Sequence, residues 1–301
     1  MDNTLYLECY SGISGDMTVA ALLDLGADEQ VLRDVLKSLP LDGYHVEISR
    51  VLKSGIDACD FNVVLENQDN HDHDMEYLYG HLHNEHGYNH SHEHEHSHEH
   101  EHGHDHEHEH GHDHEHEHSH DHEHHHHGHH HEHRGMKEIT EIINKGKMTD
   151  GARTLALRIF EILAKAESKA HNVPVNEVHF HEVGAVDSIV DIVSAAVCLD
   201  NLNIKECIVT HLTEGTGTVR CQHGILPVPV PAVLNIVADN HIPVEITDIQ
   251  GELVTPTGAA FVAAVATSHE LHKSFTVKKT GLGAGKRDYG SAGILRAMII
   301  S

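Results

Sequence analysis

The chain has 301 residues, with 48 acids, 20 Lys/Arg and 39 His, giving a formal charge of −28 at pH 7. So acidic a balance argues against nucleic-acid binding, which needs a basic footprint, and no apolar run approaches the roughly 20 residues that span a bilayer. Five cysteines without CxxC spacing, no Trp and 4% aromatic residues argue against a disulfide framework, a zinc knuckle or a base-stacking platform. Met1-Asp2-Asn3-Thr4 lacks the basic and apolar regions of a signal peptide, and reduced thiols fit a cytoplasmic location.

Residues 1–70 form a first segment. Leu5-Tyr6-Leu7-Glu8-Cys9-Tyr10 has the composition of a short strand and runs into the small-residue turn Ser11-Gly12-Ile13-Ser14-Gly15-Asp16-Met17. Val19, Ala20, Leu22 and Leu23 follow at helical spacing, with Gly26 as the stop. A second helix is predicted over residues 29–39, ending at Pro40, and residues 46–48 and 61–65 read as paired strands joined through Lys53-Ser54-Gly55.

Residues 71–133 hold 30 of the 39 histidines and 17 of the 48 acids, with no Lys or Arg. Without this tract the chain carries 31 acids against 20 bases, a net charge of −11, so the excess charge belongs to one insert. Residues 92–123 divide into four octads, HEHEHSHE, HEHGHDHE, HEHGHDHE and HEHSHDHE. A segment with so little to bury cannot offset its chain entropy, and the span 71–134 is expected to be a disordered metal-binding insert. Neutral imidazole suits Ni²⁺, Cu²⁺ and Zn²⁺, and alternating carboxylates attract divalent cations. His92, His94, His96, His125, His126 and His127 represent its ligands; the bland alternative is a solvated acidic linker.

Residues 135–301 form the remaining segment. A long helix is predicted over residues 150–171 and another over 187–199. Residues 208–209 and 218–220 read as strand pieces, and residues 227–231 are extended before a helix over 232–238. Thr255-Pro256 opens a further helix as cap and first-turn proline, and residues 275–279 and 294–300 have strand character. Interleaved helices and short strands imply an α+β or mixed α/β core, built from residues 1–70 and 135–301 with the insert looping out.

Chemistry concentrates in Val178-His179-Phe180-His181-Glu182-Val183-Gly184-Ala185-Val186-Asp187-Ser188-Ile189-Val190-Asp191. On an extended segment His179 and His181 share a face, and on a helix Asp187 and Asp191 do. With Glu182, two imidazoles and three carboxylates then meet at a strand-to-helix junction, a set suited to a borderline metal plus a proton acceptor. The alternative is that Asp187 caps its helix and the histidines are idle. Ser14, Gly15 and Asp16 sit where a helix N-terminus favours an anionic cofactor or substrate, although Asp16 as a mere cap is the simpler reading. The Gly-rich stretches 213–218 and 281–288 match no Walker A loop, but Lys286-Arg287 can neutralise a phosphate. Cys221 and His223 offer a soft ligand pair, with a buried structural cysteine as the safer reading.

The residues from His179 to Asp191 resemble the signature of the LarC family, nickel-insertion proteins of nickel-pincer cofactor biosynthesis. Ser11 to Met17, Gly215-Thr216-Gly217, Cys221-Gln222-His223-Gly224-Ile225-Leu226-Pro227-Val228-Pro229, Glu252 to Ala260 and Gly281 to Gly285 carry the same resemblance. It implies insertion of Ni²⁺ into pyridinium-3,5-bisthiocarboxylic acid mononucleotide, a lyase-class cyclometallation forming two Ni–S bonds and one Ni–C bond, for lactate racemase and related enzymes. It further implies CTP with a divalent cation, used through a C-terminal domain that this chain is expected to lack and that a separately encoded partner would supply. On this reading His179 and His181 hold nickel, and Glu182, Asp187 or Asp191 takes the ring proton. A nickel store or metallochaperone without catalysis and an unrelated metal-dependent hydrolase are the competing readings; oligomeric state is not encoded in these motifs.

Overall fold

Strand β1 (Asn3–Glu8) threads the middle of the protein because its alternate residues serve two apolar faces. Leu5 and Leu7 enter the main core, whereas Tyr6 points to a small second core with Ile208, Met298 and Ile300. The structure is a computed structural model and describes residues 3–66, 75–79, 134–180 and 185–301. After the Ser11 to Ser14 turn comes α1 (Gly15–Asp24), then α2 (Glu29–Ser38). The Asp28 side chain accepts from the amides of Gln30 and Val31, which sets the start of α2. The hairpin β2 (Tyr44–Lys53) and β3 (Ile56–Leu65) turns through Ser54 and Gly55, whose φ values of 50° and 80° are the left-handed pair a two-residue turn needs.

A short helix, α3 (Met75–Tyr79), comes next, followed across the tract by β4 (Arg134–Gly135) and α4 (Met136–Lys145). The predicted long helix is α5 (Asp150–His171), capped by Thr149 Oγ1 and closed by Asn172 in the left-handed region. β5 (His179–Phe180) pairs with β4, and α6 (Val186–Asn201) follows. Then come β6 (Ile204–Ile208), β7 (Leu212–Thr216), and the hairpin β8 (Thr218–Cys221) and β9 (Gly224–Pro227). The chain continues through α7 (Pro231–Asn240), β10 (Val244–Gln250) and α8 (Pro256–Val265), and finishes with β11 (Val277–Ala284) and β12 (Ile294–Ile300).

Six strands form one mixed sheet in the order β2-β3-β11-β12-β1-β6, and β7 pairs in parallel with β10. Helices α1, α5, α6, α7 and α8 pack together, with α1 seated directly on β11, β12 and β3. This is a mixed α+β core, as expected. The Gly-rich stretch 281–288 is not a loop for phosphate at its start: Gly281 and Gly283 lie within β11 beneath α1. A Cβ on Gly283 would stand 2.1 Å from the Met17 carbonyl oxygen, so the helix backbone rests where a side chain would otherwise be. The second Gly-rich stretch is likewise strand, because residues 212–216 are β7.

The span expected to be disordered insert contains α3, whose Leu78 is buried and whose Tyr79 hydroxyl lies 2.7 Å from that of Tyr289. Arg134, also assigned to the insert, pairs with Phe180. The expectation for residues 80–133, including His92, His94, His96, His125, His126 and His127, lies outside the described residues. No helix among the described residues is long and apolar enough to cross a membrane.

Candidate functional site

Three helices begin around one cavity of about 160 Å³, lined by the first turns of α1, α6 and α8, the segment before α8 and the loop after β11. The Ser11 to Ser14 turn is tied to that segment by two backbone bonds, Ile13 N–H to Leu253 O at 2.9 Å and Thr255 N–H to Ile13 O at 3.0 Å. Gly12 has φ +82° and its Cβ would lie 2.1 Å from the Leu253 carbonyl oxygen, so the turn needs glycine for both conformation and approach.

Ser14 is the extended N-cap residue of α1, and its hydroxyl donates to Asp16 Oδ1. Asp16 is thus not the cap; it sits in the first turn, where the helix dipole favours its negative charge. The same correction applies to Asp187. Ala185 is the N-cap of α6, Asp187 lies in its first turn and Asp191 one turn later, both facing the cavity. A Cβ on Gly15 would fall 2.5 Å from Asp191 Oδ2, which shows how closely the α1 entry and the α6 carboxylate abut. Ser14, Gly15, Asp16, Asp187 and Asp191 therefore share one cavity although the two helix starts are far apart in sequence.

The opposite wall is cationic and hydrogen bonded. Arg287 Nη1 is 2.6 Å from Glu252 Oε2, and both side chains are largely buried. Burial lowers the Arg287 guanidinium, but the Glu252 carboxylate together with Tyr289 and Tyr79 outweighs it and holds the group firmly protonated. Tyr289 donates to the Glu252 carbonyl at 2.8 Å, and the Glu252 amide donates to Tyr79 Oη at 3.1 Å, so α3 is pinned to this wall. Lys286 Nζ donates to Asn62 Oδ1 at the cavity edge. Thr255 caps α8 by accepting from Gly258 N–H at 3.2 Å, leaving Thr257 on the lining.

Behind this wall lies Glu214 of β7, fully buried. Its Oε1 accepts from the amides of Gly215 (2.9 Å), Leu253 (2.7 Å) and Val254 (3.1 Å). Burial pushes its carboxyl up to about 7 against the opposing pull of those three amides, with Glu252 adding to the rise. Nothing in the Thr213 to Thr218 stretch marked this residue, because a buried acid in a short strand looks like any other polar position. Glu252 opens one of the stretches that carry the family resemblance, but nothing in its neighbours pointed to its pairing with Arg287.

Carboxylates on two helix starts, a lysine and an arginine on the far side, and three positive helix ends give the cavity both signs of potential. It can hold an anionic group such as a phosphate against Lys286 and the amides, while Asp16, Asp187 or Asp191 takes a proton or a cation. Among the described residues no group of three His, Cys, Asp or Glu is placed to hold a metal ion. His179 has its backbone in β5, and its side chain, with His181 and Glu182, lies outside what the structure describes.

The family described as nickel insertion protein matches residues 5–301. A pyridinium-3,5-bisthiocarboxylic acid mononucleotide nickel insertion protein of Alkaliphilus metalliredigens is 52% identical over 300 residues, covering 100% of this chain and 61% of its own length. Proteins of the same description from Acetivibrio thermocellus and Clostridium acetobutylicum are 35% and 40% identical, each over 98% of this chain and 60% and 63% of their own length. The chain thus spans about three fifths of the curated relatives it matches. No solved structure matches it.

Proposed function

Since the chain belongs to the nickel insertion protein family, we propose that it takes part in inserting Ni²⁺ into pyridinium-3,5-bisthiocarboxylic acid mononucleotide, with the three-helix cavity as the substrate site. The observation that carries this reading is the meeting of Asp16, Asp187 and Asp191 with Lys286 at three helix N-termini. A mononucleotide brings a phosphate, which Lys286 and the helix amides suit, and an acidic ring C–H that must lose its proton as a Ni–C bond forms. The balance is direct: the C–H bond breaks, its electron pair goes to nickel, and the proton goes to a carboxylate.

In this reading His179 and His181 hold nickel, Ser14, Gly15 and Asp16 frame the nucleotide, and Glu182, Asp187 or Asp191 takes the ring proton. Asp191 has the stronger claim, because its carboxylate abuts Gly15 at the α1 entry. The lyase class and the use of CTP with a divalent cation belong to the same proposal, with CTP assigned to the part of the relatives' length that this chain does not span. A cytoplasmic setting belongs to the same proposal, and the absence of disulfides among the five cysteines supports it. The test mixes the purified chain, Ni²⁺, the thiocarboxylated mononucleotide and CTP, with and without the C-terminal part of a relative. Formation of the nickel product is followed by mass spectrometry. Asp191→Asn is expected to bind the mononucleotide and form no product; product at the unaltered rate sinks the assignment.

The 30 histidines of residues 71–133 favour a second reading, a nickel store that delivers the ion without chemistry. A chain lacking residues 80–133 separates the two. As an enzyme it still makes product at saturating Ni²⁺; as a store it supports none.

A further inference from the structure

The last turns of α5 and the β8–β9 hairpin bring a thiol, two imidazoles and a carboxylate together, away from the cavity described above. Glu167 and His171 stand one turn apart on α5, and Cys221 and His223 flank the hairpin turn at Gln222. His171 Nε2 is 3.3 Å from Glu167 Oε2. The ring centres of His171 and His223 are 4.8 Å apart at an interplanar angle of 40°. Cys221 Sγ is 3.9 Å from His223 Nδ1. Cys221, read from sequence as a buried structural cysteine, is in fact partly exposed, unlike Cys9, Cys59, Cys198 and Cys207.

These spacings are those of ligands sharing one ion. With metal–nitrogen distances of about 2.0–2.1 Å, two imidazoles on one centre hold their ring centres roughly 4.5–5.2 Å apart. A carboxylate oxygen and an imidazole nitrogen on one centre lie roughly 2.9–3.4 Å apart, and a thiolate sulfur and imidazole nitrogen roughly 3.1–3.6 Å. Two of the three observed separations fall inside these ranges, and the third is wide by about three tenths of an ångström. The four donors are not gathered on one point as they stand. Closing the set requires His223 and His171, both exposed, to turn about their side-chain bonds.

We infer that Cys221, His223, His171 and Glu167 form a binding site for one borderline divalent transition-metal ion of the nickel, cobalt and zinc class. One thiolate, one carboxylate and two neutral imidazoles cancel the charge of a divalent ion, and mixed sulfur and nitrogen donors select such metals over magnesium or calcium. Binding exchanges the thiol proton for the metal: the S–H bond breaks, an S–metal bond forms, and the proton leaves to solvent. The position suits hand-over of metal. β8 packs against α3, the helix that precedes residues 80–133 and their histidines in the sequence.

The test uses the full chain, reduced and without air, titrated with Co²⁺ or Ni²⁺ in excess of the histidine tract's demand. Imidazole and carboxylate ligands give no sulfur-to-metal charge-transfer band, so that band reports cysteine alone. Cys9, Cys59, Cys198 and Cys207 are buried, with their thiols pushed up by burial, whereas Cys221 is partly exposed and can reach an added ion. The unaltered chain is expected to develop the band and Cys221→Ser to lose it. His223→Ala and His171→Ala should weaken it at least about tenfold, with unchanged circular dichroism in each variant. No band in the unaltered chain, a band that survives Cys221→Ser, or indifference to both histidine substitutions overturns the site. No mononucleotide is present in the titration, so its failure leaves the cavity reading standing.

Discussion

Glu214→Gln should make the protein more stable by about 3 kcal/mol at pH 8 but by only about 1 kcal/mol at pH 5. The Glu214 carboxyl moves from an ordinary 4.5 to about 7 on folding, chiefly through burial. A carboxyl whose folded value lies above its unfolded one binds its proton more tightly in the folded state. Its stabilising contribution is therefore complete below about 4.5 and is lost as pH climbs through about 7. Between pH 5 and pH 8 that loss amounts to about 2.5 kcal/mol. Glutamine keeps an acceptor for the amides of Gly215, Leu253 and Val254 and cannot ionise, so it escapes the loss. Urea unfolding of both proteins at the two pH values measures it, and titration of the many histidines cancels in the difference. Glu214→Ala provides the contrast, since it strands three amide donors and should cost on the order of 3–5 kcal/mol at pH 5 and about 2.5 kcal/mol less at pH 8, where the parent has lost that much. Parallel pH profiles for the parent and the glutamine variant would refute the reasoning.

Arg287→Ala should destabilise the protein by about 3–5 kcal/mol in thermal or urea unfolding, because Glu252 would be left buried without its partner. Gly283→Ala drives a methyl into the Met17 carbonyl and should cost at least about 1–3 kcal/mol, read from the same curves, by lifting α1 off β11. Gly15→Ala displaces the Asp191 carboxylate. It should weaken mononucleotide binding in calorimetry at least about tenfold while the melting temperature falls only a few degrees.

Local signals read well wherever one residue type decides a local conformation. Thr255-Pro256 begins the helix expected of it, and Asp28 and Thr149 cap the helices predicted to start at residues 29 and 150, because a side-chain oxygen meets free amides within three residues. Ser54-Gly55 makes the β2–β3 turn for a similarly short-range reason. Strands β7 and β10 escaped notice, since each is stabilised by the other across some thirty residues and β7 carries a glycine and a buried acid. Helix α4 has a clear apolar face in Ile139 and Ile143, but it is ten residues long and opens on Gly135, without a Ser, Thr, Asp or Asn cap to mark its start.

The four-residue spacing of Asp187 and Asp191 was enough to place both on one helix face, and composition alone isolated a 30-histidine tract on an otherwise mildly acidic body. Only the tertiary structure could bring the entry of α1 to the start of α6, set Arg287 on Glu252, and hide Glu214 behind both. Helix periodicity and capping are fixed by atoms within one or two turns. The potential and burial of a carboxylate depend on whatever long-range packing puts beside it. The two Gly-rich stretches show the difference: whether glycine there meets a phosphate or another stretch of backbone was decided by α1 lying on β11 at Gly281 and Gly283, and by the backbone of Ile249 and Gly251 closing on Gly215.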